Sequence, residues 1–217
     1  MIGVLEKGRA NVKFIAHSHG GHASIPFRHN PFARLARLIN KVESRPPFKA
    51  RLTKPVVEMY KAMAPYMPFK YRFLLGNVWL LKPVMPFFMK KMGGQPAALV
   101  STTCVFTMAE GSRGANVIPE TASATANMRF MVHEPLEASL KKMLKLADKN
   151  DIWMEMITGY DIPPAADTTC PAYKKVVRQV ENTFGRIPVI PYVMLAGTDA
   201  RPVSYTHLRA HETLRHL

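Results

Sequence analysis

The sequence has 217 residues, of which 47% are hydrophobic. This length suits one large domain or one and a half ordinary ones, and the apolar content is ample for a packed core, so we expect a globular protein. Lys and Arg number 30 against 15 Asp and Glu, which gives a formal net charge of +15. The most apolar stretch, residues 73–89, is interrupted by glycine, lysine and proline, and this excludes a transmembrane helix there.

The positive charge is concentrated in one segment. Residues 45–98 contain ten basic side chains against one acid, Glu58, so 10 − 1 = 9 of the 15 excess charges lie there. Such an excess can indicate nucleic acid, an anionic membrane surface or acidic substrates. The sequence has no aromatic-interleaved basic motif typical of a nucleic-acid module, so we expect no nucleic-acid partner. The alternative is that these side chains only form the solvated faces of short helices.

The first half of the chain predicts a strand, a helix and then an unusual segment. Residues 10–16 are β-branched and aromatic and end before the Gly20-Gly21 pair, which predicts a strand entering a turn. Asn30 followed by Pro31 predicts a helix start, and apolar residues recur at helical spacing until Pro46-Pro47. Residues 46–98, rich in proline and methionine, are expected to be a helical insertion.

The middle of the chain completes a recognisable pattern. Residues 99–111 and 121–132 predict two neighbouring antiparallel strands, Pro135 opens a second helix that runs to Ala147, and residues 152–157 predict another strand. Strand, helix, two strands, helix, strand is the split βαβ pattern. We therefore expect an α+β domain with a ferredoxin-like, four-stranded antiparallel sheet and two helices.

Beyond Gly159 the sequence predicts a different architecture. A loop, a helix over residues 171–184 and a strand over residues 187–194 are typical of an α/β domain. We expect domains at 8–157 and 158–202, the first inserted within the second, and an α/β fold class for the chain. The two isolated cysteines, Cys104 and Cys170, favour a reducing compartment, so we expect a cytoplasmic protein.

Residues 203–217, VSYTHLRAHETLRHL, resemble a translated sequencing-adapter read-through, so we expect them not to be native. The alternative is a real amphipathic C-terminal helix. His207 and His211 stand four residues apart, a spacing that suits zinc on a helix, but we do not assign them as ligands.

Three histidines, His17, His19 and His22, lie within six residues. Imidazole is a common zinc ligand, but no nearby carboxylate or thiolate completes a set, and ligation by all three requires the backbone to fold back sharply. We favour a structural role for His17 and His19 and predict no metal site in this chain.

Three signatures carry a family resemblance: HSHGGHASIP at 17–26, GANVIPETASATANMR at 114–129 and AGTDAR at 196–201. In this order they resemble zinc-dependent peptidases and amidohydrolases, the family of carboxypeptidase S, aminoacylase and the N-fatty-acyl-amino acid synthase/hydrolase. The long insertion is most similar to the first and last of these. The resemblance implies a lid and dimerisation domain, a homodimer formed through it, two zinc ions in the complete enzyme, and an N-acyl amino acid or short peptide with a free carboxylate as substrate.

The resemblance also implies roles for six residues. His22 would reach the active site of the partner subunit and polarise the scissile carbonyl, and Asn116 would hydrogen-bond near that carbonyl. Arg129 would grip the substrate carboxylate, a task suited to a planar fork of donors. Taken alone, Asn116 is an ordinary turn residue and Arg129 a strand-end cation. The turn residues Gly197, Thr198 and Asp199 would contact the carboxylate end of the substrate.

The sequence departs from this family in the metal site. A two-zinc centre of this type needs a His-x-Asp pair and a Glu-Glu pair, and neither occurs anywhere in the 217 residues. We therefore expect a fragment of a metal-dependent hydrolase that is itself inactive. The rival hypothesis is a non-catalytic dimerisation or anionic-surface-binding module that uses the basic insertion, with peripheral contact to a membrane.

Overall fold

The computed structural model describes residues 1–185 and 187–198. Its centre is a four-stranded sheet formed by β2 (Gly8–His17), β4 (Thr103–Glu110), β6 (Thr121–Phe130) and β7 (Trp153–Tyr160). The strand order is β4-β6-β2-β7, and every neighbouring pair is antiparallel. This is the order of the split βαβ fold, so the predicted ferredoxin-like sheet is confirmed.

Two helices, α1 (Pro31–Ser44) and α7 (Leu136–Asp148), cover one face of this sheet. Alternate residues of β2 face the helices, as the period of a strand requires. The Asn30 side chain accepts a hydrogen bond of 3.0 Å from the Ala33 N–H, which caps α1 where the sequence predicted its start. The first core includes Val12, Phe14, Leu38, Met128, Phe130 and Met143.

The insertion is helical, as predicted. It contains α2 (Lys54–Met63), a 3-10 turn (Ala64–Tyr66), α3 (Phe69–Gly76), α4 (Val78–Leu81), α5 (Met85–Met92) and α6 (Gly94–Val100). The prediction that a strand begins at residue 99 was wrong by about one helical turn. Leu99 and Val100 are buried as the end of α6, and a short apolar run does not by itself distinguish a buried helix end from a strand.

Two strands outside the four-stranded sheet form a parallel pair. The first, β1 (Ile2–Glu6), was missed by the sequence analysis, which placed the first strand at residues 10–16. It pairs with β8 (Pro191–Met194), which is shorter than the predicted strand at 187–194. Helix α8 (Pro171–Phe184) has the predicted bounds. The division of the chain into domains at residues 157 and 202 stays a prediction.

A second core joins this parallel pair to the insertion. Its buried side chains come from β1, β8, α2, α5 and α6, and they include Leu5, Val56, Met59, Met89, Val100 and Val193. Helices α2, α5 and α6 of the insertion therefore pack on the β1–β8 pair. None of the described helices is both long enough and apolar enough to cross a membrane.

Lys7 lies between β1 and β2, and its side chain is almost fully buried. Its Nζ donates hydrogen bonds of 2.9 Å to the carbonyl oxygens of Ala98 and Ser101, at the end of α6. Burial, and secondarily the charge of Arg129, lowers the pKa of Lys7 from 10.5 to about 7. Through these hydrogen bonds, Lys7 connects the start of β2 to the end of α6 in the insertion.

We predict that Lys7→Met flattens the pH dependence of stability. Between about pH 7 and pH 10.5 the unfolded chain holds a proton that the folded chain has released, so the free energy of unfolding rises with pH in this window. The slope due to Lys7 is at most about 1.4 kcal/mol per pH unit. Urea unfolding at pH 7, 8 and 9 measures it. Lys149→Met, at an exposed position, should keep the original slope, and equal slopes for the two variants would contradict the prediction.

Candidate functional site

A small ladder places His22 beside Asn116. Strand β3 (Gly21–His22) pairs with β5 (Val117–Ile118), with His22 opposite Val117. The Ala23 N–H donates to the Asn116 carbonyl oxygen over 2.8 Å. Asn116 Nδ2 then lies 3.3 Å from His22 Nε2. The structure thus brings together two of the residues that the sequence analysis selected from signatures more than 90 positions apart.

The turn before His22 requires glycine. Gly20 has a φ of +68°, and a Cβ at this position would lie 2.8 Å from Glu120 Cγ. The turn is anchored by Ser18, whose N–H donates to the Glu120 carbonyl oxygen and whose hydroxyl donates to the Pro119 carbonyl oxygen. The glycine break therefore fixes the position of His22 against the connection that carries Asn116.

The His22 ring is oriented by Ser24. The Ser24 N–H donates to Nδ1 over 3.2 Å, and the Ser24 hydroxyl lies 2.7 Å from the same nitrogen. A backbone N–H can only donate, so Nδ1 is the acceptor and the proton of the neutral ring lies on Nε2. Nε2 faces Asn116, and both side chains are exposed. Because His22 Nε2–H and Asn116 Nδ2 are both donors, they do not bond to each other, and both can donate to an acceptor that approaches from solvent.

The other two histidines of the cluster have separate partners. His17 Nδ1 lies 3.1 Å from Thr121 Oγ1, and the His19 ring packs on Phe27 with the ring centroids 4.4 Å apart. Within residues 1–185 and 187–198, no three His, Cys, Asp or Glu side chains are grouped so that they could hold a metal ion. The described residues therefore do not fit a zinc centre. His207 and His211, with the rest of 203–217, lie outside the described residues.

A second polar group lies where β1, β6 and β8 meet. Arg129 on β6 is opposite Arg9 on β2, and its Nε donates to Asn127 Oδ1 over 3.1 Å. The Thr198 hydroxyl donates to Glu6 Oε2 over 2.6 Å. A Cβ built on Gly197 would lie within 4 Å of three side chains, those of Glu6, Arg9 and Arg129.

The second group thus contains three of the predicted residues, Arg129, Gly197 and Thr198. Asp199 lies outside the described residues. The sequence analysis missed Glu6 and Arg9. Glu6 is buried. The pairing of β1 with β8 brings it to Thr198, and no sequence motif predicts that pairing. Arg9 also lies over the Tyr160 ring, 5.1 Å from its centroid. Two guanidinium groups beside one carboxylate can receive an anion at this point.

The two groups lie at opposite ends of the same sheet. In the pairing of β2 with β6, His17 is opposite Thr121 at one end and Arg9 is opposite Arg129 at the other. Eight residues of strand separate the ends, which corresponds to roughly 26 Å. A single small substrate cannot contact both groups of the same chain.

Comparison with known proteins gives consistent results. A family model described as the peptidase dimerisation domain matches residues 4–155. A carboxypeptidase S-like protein of Dictyostelium discoideum is 28% identical over 204 residues, which cover 92% of this chain and 38% of that protein. An N-fatty-acyl-amino acid synthase/hydrolase of Danio rerio is 28% identical over 213 residues, which cover 96% of this chain and 40% of the relative. The chain thus spans about two fifths of the length of these relatives.

Solved structures agree on the fold. Human carnosine dipeptidase 1 aligns with a TM-score of 0.59 at 13% identity over 95% of this chain and 47% of that structure. An M20 family metallo-carboxypeptidase of Sulfolobus solfataricus aligns with a TM-score of 0.56 at 16% identity over 95% of this chain and 56% of that structure. At these identities the likeness establishes the fold alone. Because the family match covers well over half of the sequence, the chain belongs to the peptidase dimerisation domain family, and its relatives include a carboxypeptidase S-like protein and an N-fatty-acyl-amino acid synthase/hydrolase.

Proposed function

We propose that this chain is the dimerisation and substrate-positioning part of a metal-dependent hydrolase that cleaves the amide bond of an N-acyl amino acid or a short peptide with a free carboxylate. The observation that carries the proposal is the placement of two polar groups at opposite ends of one sheet, roughly 26 Å apart by strand length. Each substrate site then takes His22 and Asn116 from one protomer and Arg129, Gly197, Thr198 and Asp199 from the other.

His22 and Asn116 are suited to the reacting carbonyl. The Nε2–H of His22 is a donor held in place by Ser24, and the Asn116 amide lies beside it. A donor placed where negative charge develops on the carbonyl oxygen lowers the barrier by a few kcal/mol. Both groups are exposed, so a substrate bound to a second protomer can reach them.

The Arg129 group is suited to the substrate carboxylate. Arg129 and Arg9 lie on neighbouring strands, and the Gly197 backbone passes within reach of both guanidinium groups. The absence of a side chain on Gly197 leaves space between that turn and Arg129. A planar guanidinium binds a carboxylate through two parallel hydrogen bonds, which also orients the substrate.

We infer that the metal ions and the general base of the complete enzyme come from outside the residues described here. The chain has neither a His-x-Asp nor a Glu-Glu pair, and its described residues do not fit zinc. The chain by itself then positions substrate and does not hydrolyse it.

Dimerisation through the β4 edge fits this arrangement. At the two ends of β4, Thr103 pairs with Arg129 and Glu110 pairs with Ser123, near His17 and Thr121. Antiparallel pairing of β4 with β4 of a second copy puts the Glu110 end of one protomer beside the Thr103 end of the other. The His22 group of one protomer and the Arg129 group of its partner then lie about three strand spacings apart, roughly 14 Å.

The β4 edge also has the surface of an interface. Its exposed side chains include Val105 and Met108, and it contains no lysine, the residue that commonly protects an unpaired edge. Helix α1 borders this edge, where Phe32 covers Gly111 so closely that a Cβ there would clash with the ring. Strand and helix together form one continuous surface.

We predict that Met108→Lys on β4 converts a dimer of this chain to a monomer, because the buried charge is costly in a sheet-to-sheet interface. Ile157→Lys on the opposite edge strand, β7, is the matched control, since Ile157 is exposed to a similar extent. Analytical ultracentrifugation measures the mass of both variants. Dissociation by Ile157→Lys with an intact Met108→Lys dimer would place the interface on β7 instead.

We predict that the chain prefers a ligand with a free carboxylate. N-butanoylphenylalanine should bind more tightly than its methyl ester, and Arg129→Gln should remove this preference, a loss of about tenfold or more in affinity. Arg113→Gln, in the exposed loop before Asn116, is the control for loss of one positive charge. Isothermal titration calorimetry provides both affinities. An ester that binds as tightly as the acid would contradict the assignment of Arg129.

We predict no zinc-dependent hydrolysis by the chain alone. Incubation of N-butanoylphenylalanine with the purified chain and zinc should release phenylalanine at the rate of zinc in buffer, as followed by chromatography. Release above that rate which a chelator abolishes would show that the chain carries a metal site of its own.

A further inference from the structure

The insertion presents an apolar surface to solvent. Of the 25 large hydrophobic side chains that are exposed in the described chain, eleven lie within residues 66–92. Phe69, the most exposed of them, is 80% accessible. We call the exposed surface of α3, α4 and α5, together with Val84 just before α5, the outer face. Its most accessible large side chains are Phe69, Tyr71, Phe73, Trp79, Leu80, Val84, Phe87, Phe88 and Met92.

Each of these helices is held in place by the residues it buries. Leu75 of α3, Val78 of α4, and Pro86 and Met89 of α5 are buried, and Met89 belongs to the second core. The exposed residues therefore cannot turn inward without removing these anchors. Exposed apolar surface of this extent marks a contact with another hydrophobic phase or molecule.

The charged residues of the segment that forms the outer face are all basic. Lys70, Arg72, Lys82 and Lys91 are exposed among the apolar residues, and the sequence has no Asp or Glu from residue 59 to residue 109. Lys90 is not one of these exposed cations, because its Nζ donates hydrogen bonds to the carbonyl oxygens of Pro46 and Phe48. Four outward cations and no acid are complementary to an anionic surface.

We propose that the outer face docks on an anionic lipid surface, with the aromatic and aliphatic side chains inserted at the headgroup level and the four cations on lipid phosphates and carboxylates. Trp79 and Tyr71 suit this depth because their rings have an apolar body and a polar atom. The proposed contact lies in the plane of the lipid interface. For the proposed hydrolase, this brings the insertion, and with it the β1–β8 pair, next to lipid.

Vesicle co-sedimentation with this chain tests the lipid contact. We expect binding to vesicles of phosphatidylcholine with about one third phosphatidylserine, and at least tenfold weaker binding to phosphatidylcholine alone. Changing Lys70, Arg72, Lys82 and Lys91 together to Gln should weaken binding to the anionic vesicles by about tenfold or more. The matched control changes Lys141, Lys145, Lys149 and Lys174, all exposed on or beside α7 and α8, to Gln and should bind as the original chain does.

Tryptophan fluorescence supplies an independent readout. The sequence has two tryptophans, Trp79 and Trp153, so a Trp153→Phe variant reports on Trp79 alone. Its emission should shift to the blue on addition of anionic vesicles, and brominated lipid should quench it.

Three outcomes would overturn the proposal. If the chain binds equally to both vesicle types, the binding is general adhesion of apolar surface. If the control variant loses as much binding as the variant of the four outer-face cations, the response is to net charge only. Trp79 emission that is blue-shifted without lipid and unaffected by vesicles would show that protein covers the outer face. These outcomes leave the proposed hydrolase role intact, because that role depends on the β4 edge and the Arg129 group.

Discussion

The pairing of β2 with β6 is the constraint on which the rest of the arrangement depends. Ten residue pairs in one antiparallel register put His17 opposite Thr121 and Arg9 opposite Arg129. In the same register, the residues that follow β2 and those that precede β6 lie side by side and pair as β3 and β5, which places His22 next to Asn116. Because one face of the sheet is buried, a slip of one residue would expose the core side of both strands, so the register and the separation of the two polar groups are strongly specified.

The sequence was informative where periodicity and capping were strong, and less so where contacts were long-range. The four-stranded sheet and α1 were predicted, since the β-branched and aromatic residues of β2 and the Asn30 cap are local signals. The β3–β5 ladder has two residues per strand, too few for any pattern to show. Strand β1 was missed because it becomes a strand only by pairing with β8, almost 190 residues later, and Glu6 joined the site for the same reason. Arg9 joined it through the pairing of β2 with β6.

The molecule has two cores with separate tasks. The first core supports the four-stranded sheet, beside whose end the β3–β5 ladder holds His22 and Asn116, and the second joins the insertion to the β1–β8 pair. Lys7 connects them through its bonds to the end of α6, and Arg129 lies close enough to depress the Lys7 pKa.

The central claim is that one substrate site uses both ends of the sheet from different protomers. Electron-spin distance measurement tests it most directly, after replacement of Cys104 and Cys170, the two native cysteines. One protomer carries a label at Ser24→Cys and the other at Gly197→Cys, where a Cβ makes only ordinary contacts. The account predicts a distance between protomers that is shorter than the roughly 26 Å expected within one chain. A distance between protomers longer than that value would mean that the two groups do not meet and would contradict the account.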